Sequence, residues 1–144
     1  MEIEVTRTRP EAQLPVAGHL DDAGYDLVAC EAALLEPGGG RALIPTGIAV
    51  AIPPGHAGFV QPRSGLAARH GITCLNTPGL IDPGYRDEIR VILVNTDAST
   101  SYEVSVGDRI AQLVIQRVES ITWHEVEQLG DTTRGQGGFG STGR

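Results

Sequence analysis

Residues 109–118 read Arg-Ile-Ala-Gln-Leu-Val-Ile-Gln-Arg-Val. The run is rich in β-branched and aliphatic side chains, and the turn formers Gly107-Asp108 precede it, which predicts a strand. Gln112 is the polar break in its apolar centre and needs a hydrogen-bond partner if buried. Arg109 is placed to pair with a carboxylate. The same kind of run recurs along the chain. Met1–Val5 alternates, and Gly47–Ile52 ends at the breaker Pro53-Pro54-Gly55. Ala57–Pro62, Gly71–Asn76, Ile89–Asn95 and Ser101–Val106 follow, each bounded by Gly, Pro, Asn or Asp. Short strands at regular spacing with turn signals predict an all-β barrel or sandwich. No segment sustains a helical period over 11 or more residues.

One short helix is expected in Arg63-Ser-Gly-Leu-Ala-Ala-Arg-His-Gly71. Ser64 reads as its N-cap and Gly71 as its stop. After Val126 the pattern fades, so residues 1–126 are expected to form the domain and 127–144 a flexible arm.

Composition narrows the class. The 144 residues suit one domain with its own core. Aromatic residues make up only 4%, so aliphatic side chains must carry that core. A formal charge of −7 argues against broad attraction to nucleic acid or anionic membrane. It leaves room for one anionic small ligand held by local arginines. Cys30 and Cys74 lack metal or redox spacing and read as small buried residues. The absence of a signal peptide or a membrane-length apolar run predicts a soluble, cytoplasmic protein.

Several stretches carry polar groups suited to chemistry. Arg63, Ser64 and Gly65 combine a guanidinium, a hydroxyl and free helix-start amides, a set suited to phosphate. Asp82-Pro83-Gly84-Tyr85 reads as a β-turn, with Gly71–Asn76 and Ile89–Asn95 as pairing arms of a hairpin. An aspartate held on that turn is a candidate general base for water. Asp26 lies among small and apolar residues and, if buried, requires a partner such as an arginine. The glycine-rich end matches G-x-G-x-x-G at Gly135, Gly137 and Gly140. A dinucleotide-binding turn opens a helix, and too few residues follow for one. No Lys-Ser or Lys-Thr closes a P-loop, no G-x-S-x-G nucleophile is present, and the four histidines lack metal-ligand spacing.

In order, Ala23–Ala29 (AGYDLVA), Pro62–Ala67 (PRSGLA), Asn76–Ile89 (NTPGLIDPGYRDEI), Gly107–Val118 (GDRIAQLVIQRV) and Arg134–Gly143 (RGQGGFGSTG) resemble the five motifs of the trimeric dUTPases. The resemblance covers nearly the whole chain. It implies a jelly-roll-like β fold and a homotrimer with active sites shared between subunits. The implied reaction is hydrolysis of dUTP to dUMP and pyrophosphate, which keeps uracil out of DNA and supplies dUMP for dTTP synthesis.

By that resemblance, Asp82 activates a water that attacks the α-phosphorus. Arg63, Ser64, Gly65 and Gln112 hold phosphates, and Asp26 stands one layer out, near the metal's waters or an arginine of the arm. Asn76, with backbone groups around Leu80, Ile81 and Arg90, pairs with the uracil edge, and Tyr85 lies against the deoxyribose. The arm forms a lid in which Phe139 stacks on uracil while Arg134, Ser141 and Thr142 reach the outer phosphates. Mg²⁺ is implied as cofactor, held by substrate phosphates and water with no direct protein ligand. The third motif usually reads Tyr-Arg-Gly-Glu, whereas this chain has Tyr85-Arg86-Asp87-Glu88. That change is expected to alter substrate affinity modestly and spare the chemistry. Two rival readings are a dCTP deaminase and a non-catalytic nucleotide-binding domain. Ile92 occupies the position of the deaminases' catalytic glutamate and cannot move a proton. The carboxylate of Asp82 argues against a non-catalytic domain.

Overall fold

A computed structural model describes residues 1–133 and 135. Along the chain lie β1 (Glu4–Arg7), β2 (Val16–Ala17), β3 (Tyr25–Val28), β4 (Ala33–Leu35), β5 (Arg41–Pro45), β6 (Ile48–Ala51) and β7 (His56–Gln61). Helix α1 (Ser64–His70) follows, then β8 (Ile72–Cys74), β9 (Gly79–Ile81), β10 (Arg90–Asn95), β11 (Tyr102–Val104) and β12 (Arg109–Arg117). The fold is all-β and jelly-roll-like, with antiparallel pairing between its strands.

The opening sequence stretch becomes β12, the centre of a five-stranded sheet ordered β2-β3-β12-β7-β9. A three-stranded sheet runs β5-β10-β8, and two-stranded pairs join β1 to β6 and β11 to β4. The expected pairing of Gly71–Asn76 with Ile89–Asn95 is present, with Leu93 opposite Cys74 and Asn95 opposite Ile72. Between those arms the chain makes β9, which pairs with β7. The hairpin is thereby fastened to both main sheets.

The core is aliphatic, as the shortage of aromatics requires. Leu27, Leu35, Ile44, Ile72, Ile89 and Leu93 are fully buried in it. Asn95 is buried too, and its amide donates to the carbonyls of Leu35 and Thr100 at 3.0 and 2.8 Å. Both cysteines are free and buried. Burial pushes the Cys74 thiol up to about 11, so it holds no thiolate at neutral pH.

Strand β12 carries a bulge against β3, where the register shifts between Arg109 and Ala111. In a regular strand Arg109 and Gln112, three residues apart, would face opposite sides of the sheet. The extra residue brings them to the same side. It also lets two consecutive residues, Ile110 and Ala111, enter the core at 1% and 0% exposure.

Helix α1 corrects one expectation. Its N-cap is Arg63, in extended conformation, and no side chain caps the helix; Ser64 is already the first helical residue. The Arg63 carbonyl accepts the Leu66 and Ala67 N–H groups at 3.1 and 3.0 Å. The Ser64 hydroxyl is therefore not used as a cap. Gly71 ends the helix as expected, in the left-handed region at φ 65°. Beyond β12, residues 118–133 form no strand or helix. Ile121, Trp123 and Leu129 stand exposed there, Trp123 by 88%.

Candidate active site

Two groups of site residues emerge. The first is a cleft of about 400 Å³ around the hairpin. Asn76, Leu80, Ile81, Asp82, Tyr85 and Arg90 all line it. The Asp82–Tyr85 turn forms as the sequence predicts, with the Tyr85 N–H donating to the Asp82 carbonyl at 3.1 Å. The turn leaves the Asp82 side chain exposed, free to meet water or ligand. Gly79 forms part of the wall, where an added Cβ would lie 3.3 Å from the Asn76 amide nitrogen. Val60 and Leu43 supply apolar lining from β7 and β5.

The second group centres on Asp26 of β3, 8% exposed. Its Oδ2 accepts from Arg109 Nη1 at 3.0 Å, and its Oδ1 takes Gln112 Nε2 at 3.3 Å. Arg63 Nε lies 3.3 Å from Oδ1. The expected arginine partner of Asp26 is thus present twice, and Gln112 finds the partner it needed. Arg63 also donates to the Arg109 carbonyl at 2.9 Å, which ties the start of α1 to the bulged end of β12. With one carboxylate between two guanidiniums, the cluster keeps a surplus positive charge beside Ser64 and Gly65. That is a fitting environment for phosphate.

Neither Arg63, Ser64, Gly65 nor Gln112 lines the hairpin cleft. The positions given to Arg134, Phe139, Ser141 and Thr142 lie outside the described residues. Among the described residues no cluster of three or more His, Cys, Asp or Glu side chains is arranged to hold a metal ion. The Asp26 carboxylate is already committed to Arg63, Arg109 and Gln112. This donor set suits a divalent ion carried by substrate oxygens and water rather than by a protein cage.

Sequence reasoning understated three residues. Arg109 was visible only as a cation in search of an acid. Asp87 lines the cleft and accepts the Glu88 N–H on its own Oδ1 at 2.7 Å. Glu88 is buried at the hairpin foot, where the sequence shows only an acidic pair, Asp87-Glu88, before a largely apolar run. Burial pushes its carboxyl up, but the Arg9 hydrogen bond, the Gly47 N–H and the Arg9 charge outweigh this and hold it below the usual range.

Known proteins resemble this chain along its whole length. The dUTPase family model matches residues 10–143. A deoxyuridine 5'-triphosphate nucleotidohydrolase from Thermobifida fusca is 56% identical over 98% of this chain and 78% of its own length. One of the same name from Solibacter usitatus is 51% identical over 100% of this chain and 97% of its own. Among solved structures, the dUTPase of Staphylococcus bacteriophage 80alpha with dUPNHPP superposes with a TM-score of 0.92. It is 30% identical, with 99% of each chain covered. A phage phi11 dUTPase mutant described with a structural Mg(II) ion superposes at 0.83, with 27% identity and coverage of 91% of this chain and 100% of its own. The ordered motifs, the all-β fold and these matches agree: the chain belongs to the dUTPase family.

Proposed function

We propose that this chain hydrolyses dUTP to dUMP and pyrophosphate, with Asp82 as general base for the attacking water. The observation that carries the reading is the hairpin cleft, which gathers all five predicted nucleoside-side residues and the exposed Asp82. In this assignment Asn76 and the hairpin backbone read the uracil edge, and Tyr85 packs against the deoxyribose. A slot of fixed donors and acceptors rejects cytosine because their order is reversed there, at a cost of roughly 10⁴-fold when buried groups are left unpaired. Arg63, Ser64, Gly65 and Gln112 hold the phosphates, and Asp26 keeps Arg63 and Gln112 in place. Mg²⁺, when bound to the triphosphate, supplies charge neutralisation and orientation. Asp82 takes the water's proton as the new oxygen–phosphorus bond forms and pyrophosphate departs.

The phosphate residues stand outside the cleft, which supports a site completed by other copies of the chain. We assign a homotrimer with three shared sites, a domain of residues 1–126, and an arm of residues 127–144 that closes over the ligand. Ordering such an arm costs roughly 1–2 kcal/mol of backbone entropy per residue, so closure would need a full triphosphate. No helix among the described residues is long and apolar enough to cross a membrane. The acidic chain and buried free thiols fit a cytoplasmic enzyme.

Purified protein with Mg²⁺ and dUTP, dCTP, dTTP or UTP in turn tests the assignment through pyrophosphate release and product identity. Release from dUTP alone is the expected result. Ammonia from dCTP would replace hydrolysis with deamination and overturn the weight placed on Ile92.

The correction at α1 gives a separate test of Ser64. Because its hydroxyl caps nothing, Ser64→Ala is expected to leave stability within about 0.5 kcal/mol of the parent. Turnover is expected to fall roughly tenfold or more, through loss of a hydrogen bond to a charged ligand. A thermal melt beside steady-state kinetics checks both. A stability loss with unchanged kcat/KM would return Ser64 to a purely structural role.

A further inference from the structure

We propose that Glu88 is a positioning residue that fixes two walls of the nucleoside cleft from behind. The inference rests on reading the hairpin cleft as the nucleoside site. Glu88 is 4% exposed and does not itself line the cleft. Its Oε1 accepts from Arg9 Nε at 2.7 Å, the Gly47 N–H at 2.8 Å and Thr8 Oγ1 at 3.3 Å. Its Oε2 faces Arg9 Nη2 at 3.3 Å and Arg90 Nε at 3.5 Å. The Glu88 peptide is held as well. Asp87 Oδ1 accepts its N–H at 2.7 Å, and its carbonyl accepts the Tyr85 hydroxyl at 2.9 Å.

Tyr85 and Arg90 both line the cleft. One residue therefore grips the Tyr85 ring through its carbonyl and the Arg90 side chain through its carboxylate. It ties both to the N-terminal segment at Thr8 and Arg9 and to the Gly47 turn. Arg9 is steadied from its other side by Glu31, at 2.6 Å. A buried carboxylate is costly unless its lone pairs are filled, and these donors fill them. The arrangement explains why a charge stands at the foot of a base-reading hairpin. It also gives Asp87 a use: its carboxylate secures the same peptide from the cleft side.

Loosening Glu88 releases the walls that touch the nucleoside. It leaves untouched the hydrogen bond from the Tyr85 N–H to Asp82, which shapes the turn carrying the base. The effect belongs to binding and sugar choice more than to the chemical step. Glu88→Gln keeps the shape and removes the charge. Its KM for dUTP is expected to rise roughly tenfold, with kcat held within about threefold and the preference for dUTP over UTP reduced. Arg9→Ala, remote from the cleft, should move the same readouts in the same direction, and Arg9→Lys should restore part of the loss.

Should Glu88→Gln fail to fold, Arg9→Ala and Arg9→Lys carry the test. Lower melting temperatures with unchanged KM and unchanged sugar preference would overturn the proposal and leave Glu88 a structural ion pair. Tyr85→Ala runs in parallel. If it leaves KM unchanged, the reading of the cleft itself falls. If it raises KM while the Glu88 and Arg9 variants do not, only the positioning role falls.

Discussion

Asp82→Asn is expected to remove nearly all pyrophosphate release from dUTP while leaving the fold and nucleotide binding intact. Asp82 sits exposed on a turn closed by a backbone hydrogen bond. Its side chain supports no packing, so an isosteric amide should cost little stability, within about 0.5 kcal/mol. The amide cannot accept the proton of an attacking water. Losing a positioned general base typically costs ~10²–10⁴-fold in rate. Stopped reactions followed for dUMP, with binding of a non-hydrolysable analogue measured in parallel, separate the two effects. Equal loss of binding and turnover would show that Asp82 orders the cleft and does not act on water.

Gly47→Ala is the substitution expected to damage the fold most. Gly47 adopts φ 69°, where a side chain is strained. A Cβ there would stand 2.5 Å from the Ala12 Cβ and 2.9 Å from the Cys30 Sγ. Its N–H also serves Glu88, and its carbonyl accepts the Thr8 N–H at 2.8 Å. Any shift that relieves the clash strains these bonds. Left-handed backbone costs an ordinary residue roughly 1–2 kcal/mol, and overpacking adds about 1–3 more. At about 2–4 °C per kcal/mol for a chain near this size, the melting temperature should fall by roughly 10 °C. Melts must be run at one protein concentration, because the proposed assembly would shift them. Gly55→Ala is the control: its φ is 78°, but an added Cβ meets nothing within 4 Å. It should show the backbone cost alone. Equal losses in the two variants would mean the Ala12–Cys30 contact relaxes without penalty.

Much of this was legible in the sequence, and the reasons for the rest are local. Runs such as Ile89–Asn95 are long enough to show their strand character, and they became β10 and its approach. Strands β2 and β4, with two and three residues, are too short to carry a period. They exist because a partner strand supplies their hydrogen bonds. At α1 the motif looked like a cap because serine commonly caps. The extended Arg63 backbone moved the helix start by one residue, and the guanidinium's bonds to Asp26 and Arg109 hold that arginine in place. Around Asp26 the need for arginine partners followed from burial alone, but which arginines depends on the β12 bulge. Strict alternation would have put Arg109 and Gln112 on opposite faces. Glu88 was least legible, since Thr8, Arg9 and Gly47 reach it from 80, 79 and 41 residues away.

The exposed segment after β12 gives the protein an optical label of its own. Trp123 is the sole tryptophan of the chain. Its indole stands in solvent at 88% exposure on a stretch with no strand or helix. Emission excited selectively through tryptophan therefore comes from this one place, with no background from the core. Any event that covers residues 118–129, whether the proposed assembly of subunits or the proposed closure of the arm, would move that indole into a drier setting and shift its light to shorter wavelengths. Both proposals can thus be tested in the unlabelled enzyme, in the same cuvette as turnover.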